Sequence, residues 1–318
     1  MTKLRVDRRW ILKQAMLHNK KLLTMNQISW RHHYIPQFYL NGFTNRKGSF
    51  KIFDIQKNRF VKDGKDFYPE SYFFEEDGNS MITENSKSDF IEEAFKKIDS
   101  KTAEILKRIN TSTLNDNYNI NADDIAWLQY FIGYMYWRIP YNYEIFKSKI
   151  KGKKLEDIGI QLIGQQGRKV DVTELEKKLL ADSYLLKFMK ILYPNITLSE
   201  FLDCDTPVYI KPVPDGLPSI CSDNPIICRD PSTFRVYSDD FIFPLTSNKL
   251  FIRGKNVIKC KNTIKVEIDL LIYKQAEKYV CCTDERYIRE LEKIFQTNYR
   301  NLDDLRFSIF KQILNYAT

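Results

Sequence analysis

The hydrophobic pattern changes period near residue 197, and this switch restricts the chain to a fold that combines long helices with a separate sheet. Upstream, Ile91, Ala94, Phe95, Ile98, Ile105 and Leu106 recur at helical spacing and predict a helix over residues 88–109. Residues 123–139 predict a second, carrying Ile125, Trp127, Tyr130, Phe131 and Tyr134. Pro140 has no amide hydrogen to continue it. Thr173 and Glu176 stand at capping-box spacing before a leucine-rich run, which predicts a third helix ending ahead of Pro194. Downstream, residues 208–210, 226–228, 241–243, 250–252 and 266–268 are short apolar runs bounded by turn formers, and read as strands. Helical character returns over 270–295, first around Ala276 and Tyr279, then from Thr283 or Asp284 through Ile288 and Leu291. An early hairpin is expected from residues 49–54 and 58–62, with exposed turns at 62–65 and 75–79.

The expected class is therefore α+β, with a predominantly helical N-terminal region, a smaller mixed or antiparallel sheet and C-terminal helices. Its expected parts are a basic leader or upstream extension (1–24), a mainly helical region (25–196) and a strand-rich region with terminal helices (197–318). With 318 residues and 43% hydrophobic content, they suffice for one composite core. A basic amphipathic helix is expected over 7–23, and a polar, glycine-punctuated connection over 150–172 that lacks dinucleotide-binding spacing. Apolar stretches are too short to span a bilayer and no signal-peptide core is present, so cytoplasmic residence is expected. The six cysteines, Cys204, Cys221, Cys228, Cys260, Cys281 and Cys282, contain no Cys-x-x-Cys pair, which argues against a zinc knuckle and for small apolar core residues.

Charge is concentrated at one end. Residues 1–31 carry Lys3, Arg5, Arg8, Arg9, Lys13, Lys20, Lys21 and Arg31 against Asp7, a net +7 of the chain's +9. Such a cluster attracts polyanions, although it serves equally as a solvated face, and Met25 is an alternative start that would remove most of it. His18 lies within this leader.

Chemistry is most legible in the run from Arg31 to Phe43, which holds His32 and His33 beside Tyr34, Phe38, Tyr39 and Phe43. Imidazole takes or gives a proton near neutral pH, so His32 or His33 is the candidate general base, the other orienting or packing. Tyr34 and Gln37 are candidate substrate contacts. Its aromatic residues either enclose a ring or anchor the segment in the core. Arg138 supplies a guanidinium suited to phosphate or carboxylate, or to an internal acid such as Glu84, Glu92 or Glu93. Asp223, in Ser222-Asp223-Asn224-Pro225, would orient a histidine or bind a divalent cation, with Asn224 positioning a leaving-group oxygen. An Asx turn before Pro225 accounts for the same letters. Ser222 lacks the nucleophile-elbow glycines.

These segments, His32 to Leu40 with Phe43, Arg138-Ile139-Pro140, Ser222 to Ile226, Pro244-Leu245-Thr246 and the stretch from Ala276 to Leu291, together resemble the DUF4238 family of uncharacterised, mostly bacterial proteins over about residues 25–295. In that family the opening motif lies close to the start. The resemblance implies a domain extent and no activity, cofactor or catalytic assignment. From the residues, the expected function is a phosphoester hydrolase or nuclease-like enzyme using His32 or His33, Asp223 and Arg138, in which Asp223 orients the histidine or binds a divalent metal, the one candidate for an otherwise unassigned cofactor. The alternatives are a nucleic-acid or peptide interaction module and a regulatory scaffold; partners would be nucleic acid or a phosphorylated small molecule.

Overall fold

The computed structural model describes residues 30–83, 86–111, 121–150, 154, 157, 183–201, 205–213, 216–231, 233–255, 257 and 264–314. The helix expected over 7–23, His18, Met25, Glu84, the Thr173–Glu176 capping box, Cys204, Cys260 and most of the 150–172 connection lie outside these residues. In chain order the strands are β1 (Arg31–His33), β2 (Phe50–Asp54), β3 (Arg59–Phe60), β4 (Asp66–Phe67), β5 (Phe74–Glu76), β6 (Met81–Thr83), β7 (Ser86–Ser88), β8 (Val208–Pro212), β9 (Ile220–Ser222), β10 (Ile227–Cys228), β11 (Phe241–Thr246), β12 (Lys249–Arg253) and β13 (Tyr279–Cys282). The helices are α1 (Gln37–Leu40), α2 (Phe90–Thr111), α3 (Ala122–Arg138), α4 (Pro140–Ile150), α5 (Ser183–Phe201), α6 (Ile264–Lys274), α7 (Glu285–Asn298) and α8 (Leu302–Leu314). All strand pairs are antiparallel, and the fold is α+β.

Two sheets form the centre. One has the order β10-β11-β12-β8, the other β3-β2-β13-β9 with β4 also on β2. Alternation along each strand feeds two different cores, because successive side chains leave opposite faces. Phe241, Phe243 and Phe251 join α2 and α3 residues, whereas Ile242, Leu250 and Ile252 join α6, α7 and α8. The same rule divides Cys281 from Cys282, both wholly buried in the central strand β13. Cys221 and Cys228 are likewise buried free thiols, and burial pushes the Cys228 thiol up to about 12. Since β2 pairs with β13, a single sheet crosses the boundary expected near residue 197.

Three expectations change. The helix predicted to stop before Pro194 runs to Phe201 as α5. The proline removes one amide donor, and the side chains of Asn195 and Thr197 donate to the Ile191 and Tyr193 carbonyls within the same turns. Residues 266–268 belong to α6, where Ile264, Ile268, Leu271 and Ile272 make a helical stripe and Lys265 pairs with Asp269 one turn on. Around Tyr279 the chain is the strand β13, because both faces of that segment meet apolar cores. The first region is also less purely helical than expected, holding β1 to β7.

α3 starts with a reciprocal capping box, Asn121 with Asp124, and Gly133 lets it approach the Tyr237 ring where a Cβ would collide with the phenol. No helix among the described residues is long and apolar enough to cross a membrane.

Candidate functional site

β1 and β5 form a two-stranded ribbon in the register Arg31↔Glu76, His32↔Glu75, His33↔Phe74. The pleat sends His32 and Glu75 inward, leaving Arg31, His33, Phe74 and Glu76 on the outer side. This separates the two histidines, as adjacent strand positions must be.

His32 is 1% exposed. Its Nδ1 accepts the Asn79 amide at 2.9 Å, which places the lone pair on Nδ1 and the proton on Nε2; Nε2 faces Asp89 Oδ1 at 3.9 Å. In that tautomer neither nitrogen offers an open lone pair to a substrate proton or a metal. Asn79 is held further: its Nδ2 donates to Glu92 at 2.9 Å and its Oδ1 accepts from Lys190 at 3.2 Å. Lys190 Nζ lies 3.5 Å from Glu75, and burial depresses its amine, opposed by the Glu75 charge. Lys187 donates to the carbonyls of Asp77 and Ser80 at 3.0 and 2.9 Å, and the Ser80 hydroxyl donates to Asp89 at 2.8 Å. Two lysines of α5 thus strap the turn from Asp77 to Ser80 over the inner face of the ribbon. Of the exposed turn expected over 75–79, Glu75 and Glu76 instead close β5, Glu76 is exposed, and Asn79 is 4% exposed because its polar groups find partners inside, as does the 0% exposed Ser80 that follows. The sequence signal for this cluster was Lys187 and Lys190 three residues apart among Met189 and Ile191, cations on an otherwise apolar helical face.

Arg138 is buried at the end of α3. Its Nη1 donates to both Asp99 oxygens at 2.8 and 3.0 Å, its Nη2 donates to the His33 carbonyl at 3.2 Å, and its guanidinium lies 4.2 Å over the Phe95 ring. Among the described residues its partner is thus Asp99, not Glu92 or Glu93. Burial raises the Asp99 carboxyl while the Arg138 charge pulls it back. Arg138 meets β1, but by bonding its backbone.

Asp223 belongs to a different junction. Its carboxylate accepts the amides of Glu277, Lys278 and Tyr279 at 3.0, 2.7 and 2.9 Å, tying the loop after β9 to the turn before β13, and not from either histidine. Burial pushes its pKa up despite those three donors. Asn224 is clasped by Gln275, giving Nδ2 to its carbonyl at 3.3 Å and taking the Gln275 amide on its own carbonyl at 2.5 Å. Ser222 is buried and accepts the Asn224 amide. The segment serves as a cross-link between distant turns, broader than the local Asx turn its letters suggested.

Of the expected substrate contacts, Tyr34 is buried, its phenol pushed far up by burial with Asp223 and Glu75 adding to the shift. Tyr39 and Phe43 are core residues, Tyr39 stacking on Phe243. Gln37 is exposed, with Nε2 3.4 Å from both nitrogens of His33. Among the described residues no group of three or more His, Cys, Asp or Glu is arranged to hold a metal ion.

His33 is half-buried, and burial lowers its pKa from 6.5, with a hydrogen bond to the Glu70 backbone and the Glu92 charge pulling the other way. Because the fold holds this imidazole neutral more firmly than the unfolded chain does, its contribution to stability is full above 6.5 and is lost as pH falls through that value toward the lower folded pKa. Melting temperatures measured across this range should fall faster toward acid in the wild type than in His33→Gln; parallel curves would contradict this linkage.

No curated protein and no solved structure matches the chain. Residues 31–298 match the family model described as "Protein of unknown function (DUF4238)", and the chain belongs to that family.

Proposed function

We propose that this chain is a nucleic-acid interaction module and not a catalyst built on His32, Arg138 and Asp223. The observation that carries this reading is the commitment of those three side chains to buried internal bonds, while the net charge of +7 sits on residues 1–31 and runs directly into the exposed start of β1. Clustered Lys and Arg bind phosphate by releasing counterions, which makes affinity steeply salt-dependent. Full-length protein titrated into fluorescein-labelled oligonucleotides should bind with micromolar affinity at low salt. That affinity should weaken about tenfold or more between ~50 and ~200 mM salt. Reversing charge with Lys20→Glu and Lys21→Glu should weaken it further. Absence of binding at low salt, or salt-independent binding, would overturn the reading.

A second reading, phosphoester hydrolysis, is favoured only by His33, whose neutral ring stands at the outer side of the ribbon. Shortening of the labelled strand that disappears in His33→Gln would support it.

A further inference from the structure

We infer that the outer side of the β1–β5 ribbon is a stacking platform for an unpaired nucleobase, so that the partner is single-stranded nucleic acid. This rests on the interaction reading above and adds the part of the ligand that the ribbon takes.

Four planar groups form one row on this side. The Arg31 guanidinium lies 4.4 Å from the Trp30 ring centroid and 4.8 Å from that of Phe74, and Phe74 meets the His33 ring at 5.5 Å with a 55° tilt. The register produces this row, since Arg31 and His33 share a pleat face and Phe74 is the cross-strand partner of His33. Trp30 is 50% exposed, the most open tryptophan the structure describes, although an indole gains strongly from burial. Its backbone is fixed at the ribbon end, where its carbonyl accepts the Asp77 amide at 2.8 Å, and Arg31 packs one ring face. An aromatic ring held in place and half-exposed is what a base needs for stacking, and stacking is indifferent to base identity.

Charge selects this occupant over an apolar peptide. The platform is continuous in sequence with the basic residues 1–31, while Glu76 stands opposite Arg31 and Glu70 is exposed nearby. Those acids disfavour phosphate on the ribbon itself. Bases therefore stack on the ribbon, an arrangement a duplex cannot satisfy because its bases are already paired and stacked.

The test compares oligothymidine, an abasic strand of equal length and a duplex, using the full chain and the variants Trp30→Ala and Trp30→Phe. Oligothymidine should bind more tightly than the other two. Trp30→Ala should weaken oligothymidine about tenfold and leave duplex and abasic strand unchanged, with Trp30→Phe keeping most of the affinity. Because Trp30 is half-exposed, the variants retain the fold, which circular dichroism verifies. Equal weakening of all three ligands by Trp30→Ala, or no preference for oligothymidine in the wild type, overturns the platform while leaving the interaction reading in place. Failure of every ligand to bind overturns both.

Discussion

Asp223→Ala is expected to lower the melting temperature by roughly 4–6 °C, corresponding to about 3 kcal/mol, because it strips one acceptor group from three backbone amides at once. The carboxylate is 5% exposed, and the amides of Glu277, Lys278 and Tyr279 have it as their common partner. The cost stays below three full orphaning penalties because Glu277 and Lys278 are exposed and water can reach their amides. The turn they form launches β13, the strand that joins β2 to β9, so the loss should propagate into that sheet. Asp223→Asn is a discriminating companion. It relieves the buried charge that pushes the native carboxyl upward, but turns an amide N–H toward backbone N–H donors. Its melting temperature should lie between those of wild type and alanine. A catalytic carboxylate would give the reverse pattern, with either variant folding as stably as wild type; a melting temperature within about 1 °C for Asp223→Ala would remove the cross-link argument.

The long helices and the short strands at 208–212, 241–246 and 249–253 were legible because apolar spacing follows directly from which face is buried. Residues 266–268 were not: Val, Glu and Ile satisfy a strand pattern locally, and only the packing of α6 against α8 and β9 decides otherwise. Pro194 misled because one missing amide removes a single ladder bond, while α5 stays packed against α2 and α3 on either side of it. At the site, the sequence singled out His32, His33, Arg138 and Asp223 by residue type, and their chemical sensitivity is visible in the pKa directions of His33 and Asp223. What it left undetermined was allegiance. A buried arginine serves a substrate or a backbone carbonyl, and a buried aspartate a substrate or a backbone amide, with the same letters, and the partners here are 39 and 105 residues away for Arg138 and 54 to 56 away for Asp223. The row of Trp30, Arg31, Phe74 and His33 was not legible because its parts are split between strands about forty residues apart, whereas Tyr34, Tyr39 and Phe43, the more conspicuous aromatic residues, are core.

Arg138→Ala should be as damaging as the loss of Asp223, with an expected cost of about 3 kcal/mol, the lower end for breaking a buried ion pair, because Arg138 is buried while Asp99 keeps some access to water. Asp99 would keep its desolvation and lose the cation that offsets it, so its carboxyl would rise further and take up a proton instead. Arg138→Lys retains the charge but has no planar fork, and a single ammonium cannot serve the Asp99 oxygens and the His33 carbonyl in their present directions. It should recover only part of the loss. The double replacement Arg138→Met with Asp99→Leu removes both charges and refills the volume, and on electrostatic grounds should regain most of the stability. One bond would still be missing, that to the His33 carbonyl, which fastens α3 to β1. Urea denaturation of the four proteins separates these contributions. If the double variant is as unstable as Arg138→Ala, anchoring of β1 outweighs the ion pair. In that case amide exchange should quicken in β1 and β5, and single-strand binding should weaken without any change at Trp30, since the platform depends on a ribbon that Arg138 holds in place.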